Sequence, residues 1–208
     1  MMKLDIHTCP PLATHAFLLS CTETGQGVII DPGQGSFEAL TKDADKRKVK
    51  LQKILLTHSH WDHLIDLALF VDQLYLPVFV HEADSANVKQ PGCDGLPLPF
   101  PCKGVPTCSF LHDGEEIHVG HVVLKVMHTP GHSPGGVCFY LAKERVLIAG
   151  DTLFKGTIGN LSLATADRNS MKKSLHTLAA LPPDVCVYPG HGEPTTIGAE
   201  QWIEQVRL

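Results

Sequence analysis

Short apolar runs recur along the chain at strand length. Ala16-Phe17-Leu18-Leu19, Val28-Ile29-Ile30 and Ile54-Leu55-Leu56 come first, followed by Val78-Phe79-Val80 and Val122-Val123-Leu124. Val137-Cys138-Phe139-Tyr140, Val146-Leu147-Ile148 and Val185-Cys186-Val187-Tyr188 complete the series. Such runs, bounded by turn formers, predict buried strands. Asp31-Pro32-Gly33 closes the second run and Pro189-Gly190 the last. Between the runs the spacing changes to that of helices. Leu64, Leu67, Ala68, Val71 and Leu74 recur at three- and four-residue steps, which places them on one helical face. A second helix is expected over Ser170 to Leu181, with Met171, Leu175, Leu178 and Ala179 inward, and a third around Phe37 to Leu40. A short one fits Ile197 to Val206. Strands first, then strands mixed with helices, indicate layered α/β (α+β) packing.

Residues 83–108 break this pattern. From Gln90-Pro91-Gly92 through Leu96-Pro97-Leu98-Pro99-Phe100-Pro101 to Val105-Pro106 the chain is rich in proline and glycine. That composition excludes a regular helix or a central strand. Long loops in compact domains are usually functional or mobile, so 90–108 is a candidate wall or lid over a site.

At 208 residues, 43% hydrophobic and 19% charged, the chain fits one domain, 1–208, with a core of its own. The formal net charge is −5, and the densest positive cluster, Lys46-Arg47-Lys48, follows Asp43 and Asp45 as a solvated segment. No nucleic-acid partner is called for. No stretch reaches the roughly 20 apolar residues of a membrane span. The first twenty residues lack the pattern of a secretory signal. Seven cysteines without a Cys-x-x-Cys pair suit reduced thiols and a cytoplasmic setting. The irregular spacing of Cys93, Cys102 and Cys108 argues against a zinc knot.

Histidine changes the picture. There are thirteen, and Thr57-His58-Ser59-His60-Trp61-Asp62-His63 puts three of them beside a carboxylate. In extended chain His58 and His60 point to one side, and Asp62 and His63 are expected to begin the following helix. Packing three imidazoles together without a metal would leave polar atoms unpaired. His132, Asp151 and His191 each come shortly after a predicted strand, as His58 does, so these side chains can meet at one edge of a sheet. Gly131, Gly150 and Gly190 precede them and permit tight turns. Imidazole and carboxylate suit zinc, iron or manganese. The other eight histidines, among them His81, His112, His118, His121 and His128, read as surface or packing residues.

Four motifs carry a resemblance: the His58 to His63 segment, Thr129-Pro130-Gly131-His132-Ser133, Ala149-Gly150-Asp151-Thr152-Leu153-Phe154 and Tyr188-Pro189-Gly190-His191-Gly192. In this order they resemble the metallo-β-lactamase fold superfamily, and within it the glyoxalase II (hydroxyacylglutathione hydrolase) branch, in a short form. The resemblance implies a four-layer αβ/βα sandwich and two divalent metal ions, zinc first, with iron or manganese also suited. It implies that His58, His60 and His132 hold one ion, that Asp62, His63 and His191 hold the other, and that Asp151 bridges them. Asp31 matches a buried carboxylate supporting the first motif, and Asp62 is implied as the catalytic residue that orients the attacking water. The implied substrate is a small-molecule thioester such as S-lactoylglutathione. The chain departs from its short relatives at Asn160 and Ser162, where they carry an arginine and an aspartate; Lys155 and Arg168 are the cations placed to compensate. Ser59 and Ser133 lie outside any Gly-x-Ser-x-Gly elbow, which disfavours a covalent serine mechanism. A mono-iron persulfide dioxygenase, a hydrolase of another small ester, lactone, lactam or phosphoester, and a non-catalytic metal module are the alternatives at this point.

Overall fold

The computed structural model describes residues 1–206 and 208. Its first sheet runs in chain order through β1 (Met2–Cys9), β2 (Thr14–Cys21), β3 (Gln26–Ile30), β4 (Lys50–Leu55), β5 (Val78–His81) and β6 (Ser109–Leu111). The first three strands pair antiparallel and β3 to β6 pair parallel. The second sheet contains β7 (Glu116–Val119), β8 (Val122–His128), β9 (Val137–Leu141), β10 (Val146–Gly150), β13 (Cys186–Pro189) and β14 (Thr195–Thr196), neighbours in that order. A hairpin of β11 (Leu153–Phe154) and β12 (Thr157–Ile158) stands apart. The helices are α1 (Ser36–Arg47), α2 (Leu67–Leu74), α3 (Ser85–Lys89) and α4 (Arg168–Ala179).

Alternation along the strands produces the layers. In β2, Phe17 and Leu19 face the second sheet, where they meet Val126, Phe139 and Ile148. Ala16 and Leu18 face the other way, toward Leu40 of α1 and Leu67 and Phe70 of α2. In β10, Val146 and Ile148 point to the space between the sheets, while Leu147 and Ala149 pack on Met171, Leu175 and Leu178 of α4. Helices, sheet, sheet and helix follow one another: the expected four-layer αβ/βα sandwich. Burial on both faces explains why these strands read as continuous apolar runs.

Several elements differ from expectation. Asp62 and His63 do not begin a helix. Trp61–His63 form one 3-10 turn, and α2 starts only at Leu67. The side chains of Asp62 and His63 turn inward to a polar cluster instead of lying along a helical face, and Leu74, at the helix end, is 39% exposed. Helix α1 runs well beyond Leu40; its buried stripe is only Ser36, Leu40 and Ala44, too sparse to show its length in the apolar pattern. Ile197–Gln205 is 3-10 rather than α-helical, with a kink at Glu200. The 83–108 segment opens with α3, and its proline-rich remainder is irregular up to β6. Among the described residues, no helix is long and apolar enough to cross a membrane.

Candidate metal centre

The site lies where strands of both sheets end. The chain leaving β4 carries His58, His60, Asp62 and His63; the chain leaving β8 carries His132. Parallel pairing of β10 with β13 sets Gly150 opposite Pro189 and shifts register between Ile148 and Gly150. This irregularity, of the kind that re-aims side chains beside sites, brings Asp151 next to His191. Gly190 is required there: a Cβ would lie 2.2 Å from Asp151 Oδ1 and 2.8 Å from the His63 ring.

Three donor groups result: His58, His60 and His132; His58, His63 and Asp151; Asp62, His63 and His191. Within each group the ligand atoms lie within 4.8 Å of one another. Asp151 sits between the outer two. Its Oδ2 is 3.4 Å from His132 Nε2 and 3.5 Å from His191 Nε2, while Oδ1 is 3.4 Å from His63 Nε2. All seven sequence-predicted residues therefore meet at one place.

The hydrogen bonds show which atoms are free for an ion. His58 Nδ1 pairs with Thr57 Oγ1 at 3.1 Å, His63 Nδ1 with Asp31 Oδ2 at 3.0 Å, His132 Nδ1 with the Asn160 carbonyl at 3.0 Å and His191 Nδ1 with the Leu12 carbonyl at 3.0 Å. His60 is anchored by Nε2 to Thr165 Oγ1 at 3.3 Å, which frees Nδ1. On the inner side, His58 Nε2, His63 Nε2, His132 Nε2 and Asp151 Oδ1 are buried without a hydrogen-bond partner. Buried polar atoms are almost always paired. Four convergent orphans of ligating type fit divalent ions, with each ring turned by an outer partner.

Electrostatics agree. Burial, then the neighbouring imidazoles, holds His58 well below the usual histidine range and takes His60 down to about 3. Both are thus neutral donors. Burial would raise Asp62, but His63 and the hydrogen bonds of His191 and Thr14 bring it down to about 2. Burial opposes charge on His191 too, yet Asp151 and Asp62 lift it to about 9. Two carboxylates held ionised beside neutral imidazoles are a donor set suited to a cation.

Asp31 supports the motif as expected. Its Oδ1 accepts from Thr57 N at 2.7 Å and its Oδ2 from Thr57 Oγ1 at 2.6 Å, besides the contact with His63. Sequence reasoning missed two other anchors. Thr14 Oγ1 donates to Asp62 Oδ2 at 2.6 Å. Asp84 accepts from Ser59 N at 2.9 Å and from Gly135 N at 2.6 Å, tying the His58 loop to the His132 loop. Their only sequence signal is a polar residue beside an apolar run.

A cleft of about 320 Å³ opens over the cluster. Leu96 and Pro97 line it, so the 90–108 loop is a wall of the site. Asn160 lines it as well, whereas Lys155 and Arg168 do not. His118 and His121 are exposed at the β7–β8 hairpin, and His128 stacks on His81 at 3.9 Å, away from the ligands. Cys93, Cys102 and Cys108 form no metal-holding group among the described residues.

The sandwich and its strand-end cluster of histidines and aspartates define a metal-binding hydrolase class. The family model of the metallo-beta-lactamase superfamily matches residues 9–191, and the chain belongs to that superfamily. It is 34% identical over 206 residues to an uncharacterized protein of Aquifex aeolicus (strain VF5), covering 96% of this chain and 94% of the relative. A hydroxyacylglutathione hydrolase of Francisella philomiragia is 30% identical over 165 residues, 79% of this chain and 58% of that enzyme. The crystal structure of the BLEG-1 B3 metallo-beta-lactamase superposes with a TM-score of 0.87 at 33% identity, covering 95% and 96% of the two chains. TTHA1623 in a di-iron-bound form superposes with a TM-score of 0.81 at 36% identity, covering 94% and 96%.

Proposed function

We propose that this chain is a hydrolase that works with two divalent metal ions and cleaves a small thioester, the bond type named by its hydroxyacylglutathione hydrolase relative. The placement of Asp151 between two complete donor groups carries this reading. His58, His60 and His132 would hold one ion, Asp62, His63 and His191 the other, and Asp151 both. Bound ions supply a water ionised near neutral pH and a Lewis acid for the acyl carbonyl. The protein's part is positional. Asp62, fixed through Oδ2 by Thr14, lines the cleft, orients the attacking water and takes up its proton. The apolar wall of the cleft keeps bulk water from the acyl group. Ser59 and Ser133 do not line the cleft, in keeping with attack by water rather than by a serine.

The test joins metal analysis to a thioester panel. Two ions per chain are expected, with hydrolysis of S-lactoylglutathione or a related thioester that chelation abolishes. Oxygen uptake with glutathione persulfide, in the absence of any thioester hydrolysis, would replace this reading with a dioxygenase.

A further inference from the structure

The wall of the cleft carries information about the leaving thiol. Three separate loops each present apolar groups to it. The β1–β2 turn gives Leu12, the proline-rich loop gives Leu96 and Pro97, and the β11–β12 hairpin gives Phe154; Trp61 and Leu163 complete the lining. Leu12 is 52% exposed and Phe100 43% exposed. The Phe100 ring lies 6.0 Å from that of Trp61, so the apolar surface continues to the mouth. Apolar groups left exposed together at a cleft mark a ligand contact.

The charged side chains of the cleft belong to the candidate metal cluster itself. Asp62 and Asp151 lie at its floor, and among the described residues no lysine or arginine lines it. Asn160 is a neutral polar side chain of the lining. Its Oδ1 already accepts from Ser162 N at 2.8 Å, which leaves a neutral amide N–H for a ligand. Glutathione brings two carboxylates. Bound along the apolar wall, away from the ions, they would lose water without a lysine or arginine in return, which is unfavourable. An apolar thiol gains about fourfold in affinity for each methylene buried.

We propose that the cleft selects thioesters whose thiol part is uncharged and apolar over thioesters of glutathione. The inference rests on the thioester reading above and narrows it. The reaction is unchanged: water adds to the acyl carbon, the C–S bond breaks, and the thiol leaves with a proton.

The experiment uses the metal-loaded protein and three lactoyl thioesters, of glutathione, of N-acetylcysteamine and of benzyl mercaptan. The matching non-hydrolysable thioethers are measured for binding by calorimetry. The benzyl thioester is expected to exceed the glutathione thioester in kcat/KM by about tenfold or more, with the same order in binding, as pocket discrimination of this kind allows. Asn160→Arg is expected to shift the ratio toward glutathione by about tenfold, and Phe154→Ala is expected to lower the benzyl preference. A glutathione compound that binds or reacts as well as the benzyl one overturns the inference while leaving hydrolysis intact. Selective binding of the benzyl thioether without hydrolysis of any thioester supports the selectivity and overturns the thioester reading.

Discussion

Asp84 illustrates how single side chains set the site. It is buried, and its two oxygens accept from Ser59 N and Gly135 N, so one carboxylate fastens both loops that carry the His58, His60 and His132 group. Asp84→Ala is expected to leave two buried N–H groups unpaired, at about 1–3 kcal/mol each. Urea unfolding measures that loss, and metal titration should show the His58, His60 and His132 group weakening before the other. A second prediction concerns His191. Its metal-free form is raised from 6.5 to about 9 by Asp151 and Asp62, against the effect of burial. Because the folded-state value is raised, its contribution is full below pH 6.5 and fades as pH climbs toward 9. Calorimetry of metal-free protein should show the melting temperature falling across that window. The metal-loaded protein, with His191 a neutral ligand on the proposed assignment, should lack that decline. At this scale the candidate ligands were legible, since they cluster just after apolar strands. Thr14 and Asp84 were not: Thr14 meets Asp62 across 48 residues and Asp84 meets Gly135 across 51, and no local pattern encodes such pairings.

Among the elements, the β11–β12 hairpin depends on one buried carboxylate. Glu200 Oε2 accepts from Gly156 N at 2.9 Å and from Trp202 Nε1 at 2.6 Å, and Oε1 accepts from Thr195 Oγ1 at 2.6 Å. The hairpin in turn holds Phe154 in the cleft. Glu200→Ala is expected to release it and lower kcat/KM by about tenfold, mainly through KM, because substrate placement suffers while the ligands stay in position. Steady-state kinetics with parallel metal analysis separates these effects; loss of metal would contradict the assignment. The core strands were readable because both faces are buried. The amphipathic β1 alternates exposed and half-buried residues, and β6 has three residues, so neither showed as an apolar run. The helix expected from Asp62 was misread for a physical reason: Asp62 and His63 turn into the buried polar cluster and occupy the turn in which it would have begun.

At the scale of the whole molecule, the sequence pattern carried layered α/β packing, and the resemblance of the four motifs implied that the layers are four. The pattern pointed to the 90–108 loop as a wall of the cleft but not to Leu12 or Phe154, which come from two other, distant segments. Metal removal should be felt throughout the fold. An ion bound a thousandfold above its dissociation constant stabilises by about 4 kcal/mol, so chelation is expected to lower the melting temperature by several degrees in a thermal scan.

The donors divide between the halves of the sandwich. His58, His60, Asp62 and His63 leave the first sheet, whereas His132, Asp151 and His191 leave the second. Each of the three donor groups contains members of both. Any ion seated there is a mechanical fastener across the seam, and the candidate metal centre doubles as a clasp. Hydrogen exchange should therefore quicken together at the ends of β4 and β10 once the clasp is undone, while the far ends of both sheets keep their protection. The enzyme would lose its shape at the seam and its chemistry on the same curve of metal loss.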